Sequence, residues 1–169
     1  MTRKMRAWCH RCLTPATLVA LVLSGTGCGP GIDVAAALRL ESVTTGWVDA
    51  GRVGTNNKLV PSVSFTVKNT SDRTLAPVLV NAVFRRAGDA ADWGSALVTA
   101  AGSAGLAPAG ATIRLVLTGD AGYTGTDPQG DLLQNSHFVD ATVDLFARYG
   151  SRQWTRIGEY RIARQIVER

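Results

Sequence analysis

Past residue 28 the chain has no cysteine and a single histidine, and those two shortages remove much chemistry. The three cysteines are Cys9, Cys12 and Cys28, and the two histidines are His10 and His137. No disulfide can therefore staple residues 29–169, and the core alone must hold them together. Any Ser-His-Asp constellation would have to run through His137, and a histidine-based metal site needs more ligands than remain. His137 opens an alternating stretch, where a polar side chain at a strand edge or loop is ordinary. The G-x-S-x-G elbow, the phosphate loop and the dinucleotide fingerprint are all missing. Cys9-His10-Arg11-Cys12 has the spacing of a redox or zinc half-site, but no second ligand pair follows it. It sits in a basic leader and is read as part of that leader. No catalytic residue, metal or cofactor is expected. No apolar run approaches the roughly 20 residues of a spanning helix, and no stretch shows convincing helical amphipathicity.

What is present is globular in composition. The chain has 169 residues, 46% hydrophobic and 18% charged, enough for one domain with a real core. Its formal charge of +5 is unevenly placed. Residues 1–27 hold Arg3, Lys4, Arg6 and Arg11 and no acid, so the other 14 of the 18 basic residues share the remainder with all 13 acids. Residues 28–169 are thus nearly neutral. The high pI belongs to the leader and does not point to nucleic acid.

The leader has three parts. Residues 1–12 are basic, Leu18-Val-Ala-Leu-Val-Leu23 is apolar, and Ser24-Gly-Thr-Gly27 is small. That is the order of a secretion signal peptide, predicted over residues 1–27. Small residues before Cys28 resemble the lipobox of bacterial lipoproteins. Thr26 and Gly27 fit its last two positions, and Gly25 departs from the usual Leu, Val or Ala. The alternative is cleavage by the ordinary signal peptidase. The resemblance implies that the Cys28 thiol carries a diacylglycerol and becomes the new N-terminus, with palmitate-like chains held in a membrane. Each buried methylene contributes roughly 0.8 kcal/mol, and two or more chains hold a protein stably. Residues 28–33, with Gly29-Pro-Gly31, form a tether. By the sorting tendency of lipoproteins, the resemblance implies that Gly29 rather than Asp beside the cysteine directs the protein to the periplasmic face of the outer membrane, in a cell that has one.

Residues 34–169 read as one all-β domain. Val63, Phe65 and Val67 alternate with polar neighbours, and Asn69-Thr-Ser-Asp-Arg73 supplies turn chemistry. Val78–Phe84 is apolar on both faces, which predicts a central strand ended by Arg85-Arg86. Further strands are predicted within residues 34–48, at 95–101 and 113–117, from Val139 to Ala147, and over 152–164. Residues 88–94 and 102–110 read as loops, and 119–135 as a long irregular one. About seven antiparallel strands suit an immunoglobulin-like β-sandwich. Ser64-Phe-Thr-Val-Lys-Asn-Thr-Ser-Asp-Arg73, Val78-Leu-Val-Asn-Ala-Val-Phe84 and Leu106-Ala-Pro-Ala-Gly110 resemble the FxLYD-type domains of bacterial surface proteins. Arg85-Arg86 replace the usual Tyr-Asp, and Ala109 splits Pro from Gly. The resemblance covers about 50 residues, implies the immunoglobulin-like fold, and transfers no catalytic residue.

Candidate contact residues come from two places. The loop at 119–135 offers Tyr123, Asp127 and Asp131. Its acids and glycines are ordinary in a solvated loop, and their spacing is not that of an EF-hand. The last strand offers Trp154, Arg156 and Tyr160, expected to share one face with Ile162. Asp140 and Asp144, roughly 13 Å apart along a strand, are too distant for a glycosidase pair and are expected on a solvated face. Trp47 and Trp93 lie near strand ends. The expected function is a non-catalytic, membrane-tethered module that binds another envelope component, an envelope protein above all, or serves as part of an assembly. The alternatives are a ligand-binding lipoprotein of a transport system and a small envelope hydrolase working without histidine.

Overall fold

The computed structural model describes residues 31–168; the predicted signal peptide and Cys28 lie outside them. Among the described residues there are eight strands and two four-residue helices. The chain enters through α1 (Val34–Ala37), capped by the Asp33 carboxylate accepting from the Ala35 N–H. It continues as β1 (Leu38–Val53), β2 (Asn56–Asn69), β3 (Val78–Arg86), β4 (Asp92–Ala101), β5 (Leu115–Thr118) and β6 (Tyr123–Gly125). Then follow α2 (Gln129–Leu132), β7 (Ala141–Tyr149) and β8 (Thr155–Arg161).

Two antiparallel sheets result. One runs β1-β2-β5, with β6 pairing β2 beyond the end of β5; the other runs β4-β3-β7-β8. The β1–β2, β3–β4 and β7–β8 hairpins each stay within one sheet, and the connections between them cross over. This is an immunoglobulin-like sandwich. The core is built by alternation: Val63, Phe65 and Val67 of β2 face Val80, Ala82 and Phe84 of β3 and Val143, Leu145 and Ala147 of β7, all buried. β3 is central in its sheet, as its two apolar faces predict. Every buried core residue lies between Val34 and Ile162, so the sandwich carries its own core.

The structure corrects several boundaries. β2 begins at Asn56, well before the alternation becomes regular, and forms a long hairpin with β1. β4 already starts at Asp92, inside the expected 88–94 loop. The 119–135 stretch is not uniformly irregular, since β6 and α2 lie within it. β7 starts at Ala141; Val139 precedes it and is exposed.

Asn69 joins both ends of the β2–β3 turn to a distant loop. Its side-chain amide donates to the Arg73 and Leu106 carbonyls at 2.7 and 2.8 Å. Its side-chain oxygen accepts from the Ser71 N–H and hydroxyl at 2.9 and 2.7 Å. Two donors and two acceptor positions are thus all used, as a fully buried amide requires. Leu75 and Leu106 exchange both backbone hydrogen bonds beside it. The Asn-Thr-Ser turn and the Leu-Ala-Pro-Ala-Gly loop, separate in sequence, are therefore one structural unit.

The chain end closes the sandwich. After β8, residues 163–167 run parallel to β1 at Trp47. The Trp47 N–H donates to Gln165 O, and the Val167 N–H donates to Trp47 O, both at 2.8 Å. Thr45 bridges the same strap, donating to Arg161 O and accepting from the Ala163 N–H. Gly46 permits it: a Cβ there would lie 2.9 Å from Gln165 O and 2.6 Å from a Val167 methyl. The strap covers part of an edge that would otherwise offer unpaired backbone groups.

Candidate functional site

The sandwich has two distinguishable ends. At one, α1 enters beside the 70–77 turn, the 102–110 loop and the 150–154 turn. At the other lie the β1–β2 hairpin tip, the β3–β4 turn, the 119–140 segment and the end of β8.

The second end is built around an aromatic cluster. Trp47 is fully buried and meets Phe138 edge-on with ring centroids 4.8 Å apart. Tyr123 lies 4.4 Å from Phe138 and 5.1 Å from Trp93, centroid to centroid. Such tilted and edge-on arrangements suit the ring quadrupoles. Arg86 stands 4.8 Å over Trp93, and Arg164 stands 5.1 Å over Phe138. The Tyr123 hydroxyl donates to Val139 O at 2.9 Å and accepts from the Val139 N–H at 3.1 Å, fixing the approach to β7. Gly122 sets the ring's position: a Cβ there would lie 2.0 Å from Leu59 O, so only glycine lets the chain lie this close to β2. The Trp47 indole N–H is buried with no oxygen or nitrogen partner, among rings whose faces can accept weakly.

Beside the cluster, Tyr123, Thr124, Leu132, Asn135, His137 and Phe138 line a cleft of about 150 Å³. His137 is exposed, in a loop rather than on a strand, and its backbone N–H donates to the Asn135 side chain. Arg164 fastens this loop to the strap, donating to Leu133 O, Phe138 O and the Asp140 carboxylate. Arg161 holds the other Asp140 oxygen at 2.5 Å. The Arg164 hydrogen bond holds the Asp140 carboxyl below the usual Asp range; burial opposes this, and Arg161 adds to the lowering.

The six candidate contact residues do not form one surface. Tyr123 belongs to the aromatic cluster and is half-buried. Asp127 and Asp131 are exposed nearby, and the Asp127 carbonyl accepts from the Asn57 side chain at 2.8 Å. Trp154, Arg156 and Tyr160 belong to the other sheet and do not share a face. A bulge in β8 pairs Phe146 with Arg156 but Leu145 with Gly158, shifting the alternation by one residue. Arg156 therefore points outward to Asp144 and Glu159, while Tyr160 and Ile162 turn inward against the core. Trp154 precedes the strand, is 40% exposed, and lies under Arg148 at 4.9 Å. Asp140 and Asp144 are not simply solvated. Arg161 and Arg164 hold the first, and Arg85 and Arg156 hold the second; their side chains are only 19% and 14% exposed. Simple alternation carries no signal for a bulge, so the sequence could not have separated these faces. The aromatic cluster was partly visible, since Trp47, Trp93 and Tyr123 stood out, but nothing joined Phe138 to them.

Among the described residues, no group of three or more His, Cys, Asp or Glu side chains is arranged to hold a metal ion, and no helix is long and apolar enough to cross a membrane. No family model matches the sequence, and no curated protein matches it. Among solved structures, the X-ray structure of a Northeast Structural Genomics Consortium target is similar, with 17% sequence identity and a TM-score of 0.41. The alignment covers 78% of this chain and 89% of that one.

Proposed function

We propose that the protein is a lipid-anchored module of the bacterial cell envelope that works by binding rather than by catalysis. The observation that carries this reading is the order of the N-terminal segments. A basic stretch, an apolar stretch and small residues lead to Cys28, and the first buried side chain of the sandwich, Val34, follows six residues later. A cysteine in that position, with none after it, suits acylation better than a free thiol in an oxidising compartment. The resemblance of residues 64–110 to FxLYD-type surface domains points to the same compartment.

The aromatic end supports a binding role. It combines Arg86, Arg164, half-buried aromatic rings and a loop with its own secondary structure, a composition common at protein contacts. The partner is an envelope protein. The cleft beside the aromatic cluster, about 150 Å³, is itself smaller than the several hundred Å³ of a typical small-molecule site.

The test is the intact mass of the protein from native membranes, beside a Cys28→Ala variant. A lipid-sized increment on a chain beginning at Cys28, absent from the variant, is expected. A chain cut elsewhere without the increment, or one that still begins at Met1, would overturn the reading.

A further inference from the structure

Charge is unevenly divided between the two ends of the sandwich. The end where the tether enters carries Arg39, Lys68, Arg73, Arg114, Arg148 and Arg152 against Asp33, Glu41 and Asp72. Lys68 pairs with Glu41 at 3.7 Å, and Arg73 lies 3.9 Å from Asp72. Arg39, Arg114, Arg148 and Arg152 form no ion pair among the described residues. The aromatic end, with its hairpin tip, turns, 119–140 segment and strap, reverses the balance. There, among the described residues, five cations, from Arg52 to Arg164, stand against eight acids, from Asp49 to Glu168. Between the ends, Arg85, Arg156, Asp144 and Glu159 form a neutral group, and Arg85 also pairs with Asp92 of the far end.

We infer that the tethered end is a docking face for a lipid surface rich in anionic headgroups. The inference rests on the lipid-anchor reading and adds to it the orientation of the domain. Its first support is the chain. Six residues separate Cys28 from Val34, which limits the reach to about 20 Å at 3.3–3.6 Å per residue. An acylated Cys28 therefore keeps this end within about two Debye lengths of the membrane. The second support is charge complementarity: four arginines without acidic partners stand at that end, and the acid excess is at the far one. The third is the rest of the surface. The 102–110 loop has no charged residue and presents Ser103, Ala104, Ala107 and Pro108 to solvent, while Trp154 is partly exposed beside Arg148. A tryptophan flanked by arginines matches the composition of membrane–water interfaces. Docking this end turns the aromatic cluster outward, toward a partner.

The experiment uses the lipidated chain in vesicles of phosphatidylglycerol and phosphatidylethanolamine, against vesicles of phosphatidylcholine. Acylation removes the one thiol of residues 28–169, so a single engineered cysteine can carry a fluorophore at Ser103, on the tethered end, or at Thr55, on the far end. A headgroup-located quencher is expected to quench the Ser103 label several-fold more than the Thr55 label, and only in the anionic vesicles. Combining Arg39→Gln, Arg73→Gln and Arg152→Gln should level the difference. Thr55→Glu, Thr126→Glu and Ser136→Glu, read with the Ser103 label, change net charge by the same amount at the far end and should not. Equal quenching at both positions, equal behaviour in both vesicles, or equal effects of the two triple variants would overturn the inference. The mature chain carrying Cys28→Ala, added to the same vesicles and sedimented, separates this failure from that of the anchor. Loss of about tenfold or more of its binding to anionic vesicles in the arginine variant alone supports the docking face even if the native chain proves unacylated. No preference for anionic vesicles counts against it.

Discussion

With both amide donors and both acceptor positions occupied, Asn69 tolerates no common replacement. Asn69→Ala takes one donor from each of the Arg73 and Leu106 carbonyls, which keep the Ser71 hydroxyl and the Leu75 N–H, and should lower unfolding free energy by about 1–3 kcal/mol in a denaturant titration. Asn69→Asp keeps the size but turns oxygen toward those carbonyls, so it should be more destabilising at pH 7 than near pH 4. Asp140 behaves in the opposite sense. Its carboxyl is held below the ordinary value, first by Arg164 and then by Arg161. A depressed native pKa stabilises above the unfolded value of about 3.9 and loses that contribution as pH falls through the native value. The stability gap between the native chain and Asp140→Asn should therefore be constant at neutral pH and shrink on acidification below about pH 4. A gap that stayed level to pH 2 would show that the two arginines do not select the ionised form.

The strap and the β8 bulge decide how the strands present their side chains. Ending the chain at Ala163 removes both backbone bonds to Trp47 and the Arg164 clamp on the 132–140 loop. The truncated domain is expected to lose about 2–4 kcal/mol of stability and to show red-shifted tryptophan emission as Trp47 meets water. Unchanged emission would mean that the strap contributes nothing to burying the ring. β2 and β7 were legible in the sequence because apolar and polar side chains alternate along them, and β3 because it is apolar on both faces, as a central strand is. β6 and α2 were not, since three and four residues give no measurable period. The bulge between Arg156 and Gly158 was not legible either: it is set by how β8 fits β7, and it splits Trp154, Arg156 and Tyr160 between environments. The candidate site was readable only residue by residue. Its aromatics were conspicuous singly, while their assembly depends on Gly122 lying against Leu59 and on a loop held by Arg164.

At the scale of the whole molecule, stability owes nothing to cystine. No cysteine occurs among residues 29–169, so the unfolding midpoint of the sandwich, taken as residues 31–169, should be the same with and without reductant. In a chain that begins at Cys28, a shift would require a covalent link between chains through that residue. The charge division also places two opposing demands on one small body, with cations toward the tether and acids toward the aromatic end. The β1–β2 ladder spans this axis, from Leu38 opposite Asn69 to Val53 opposite Asn56. Its hydrogen bonds lie across the strands. If a partner held at the aromatic end were pulled while the lipid held the tether, tension would enter at Leu38 and run along β1. The bonds of that ladder would then be loaded together in shear instead of opening one by one like a zip, and under the proposed anchoring the first strand would be the mechanical link between membrane and load.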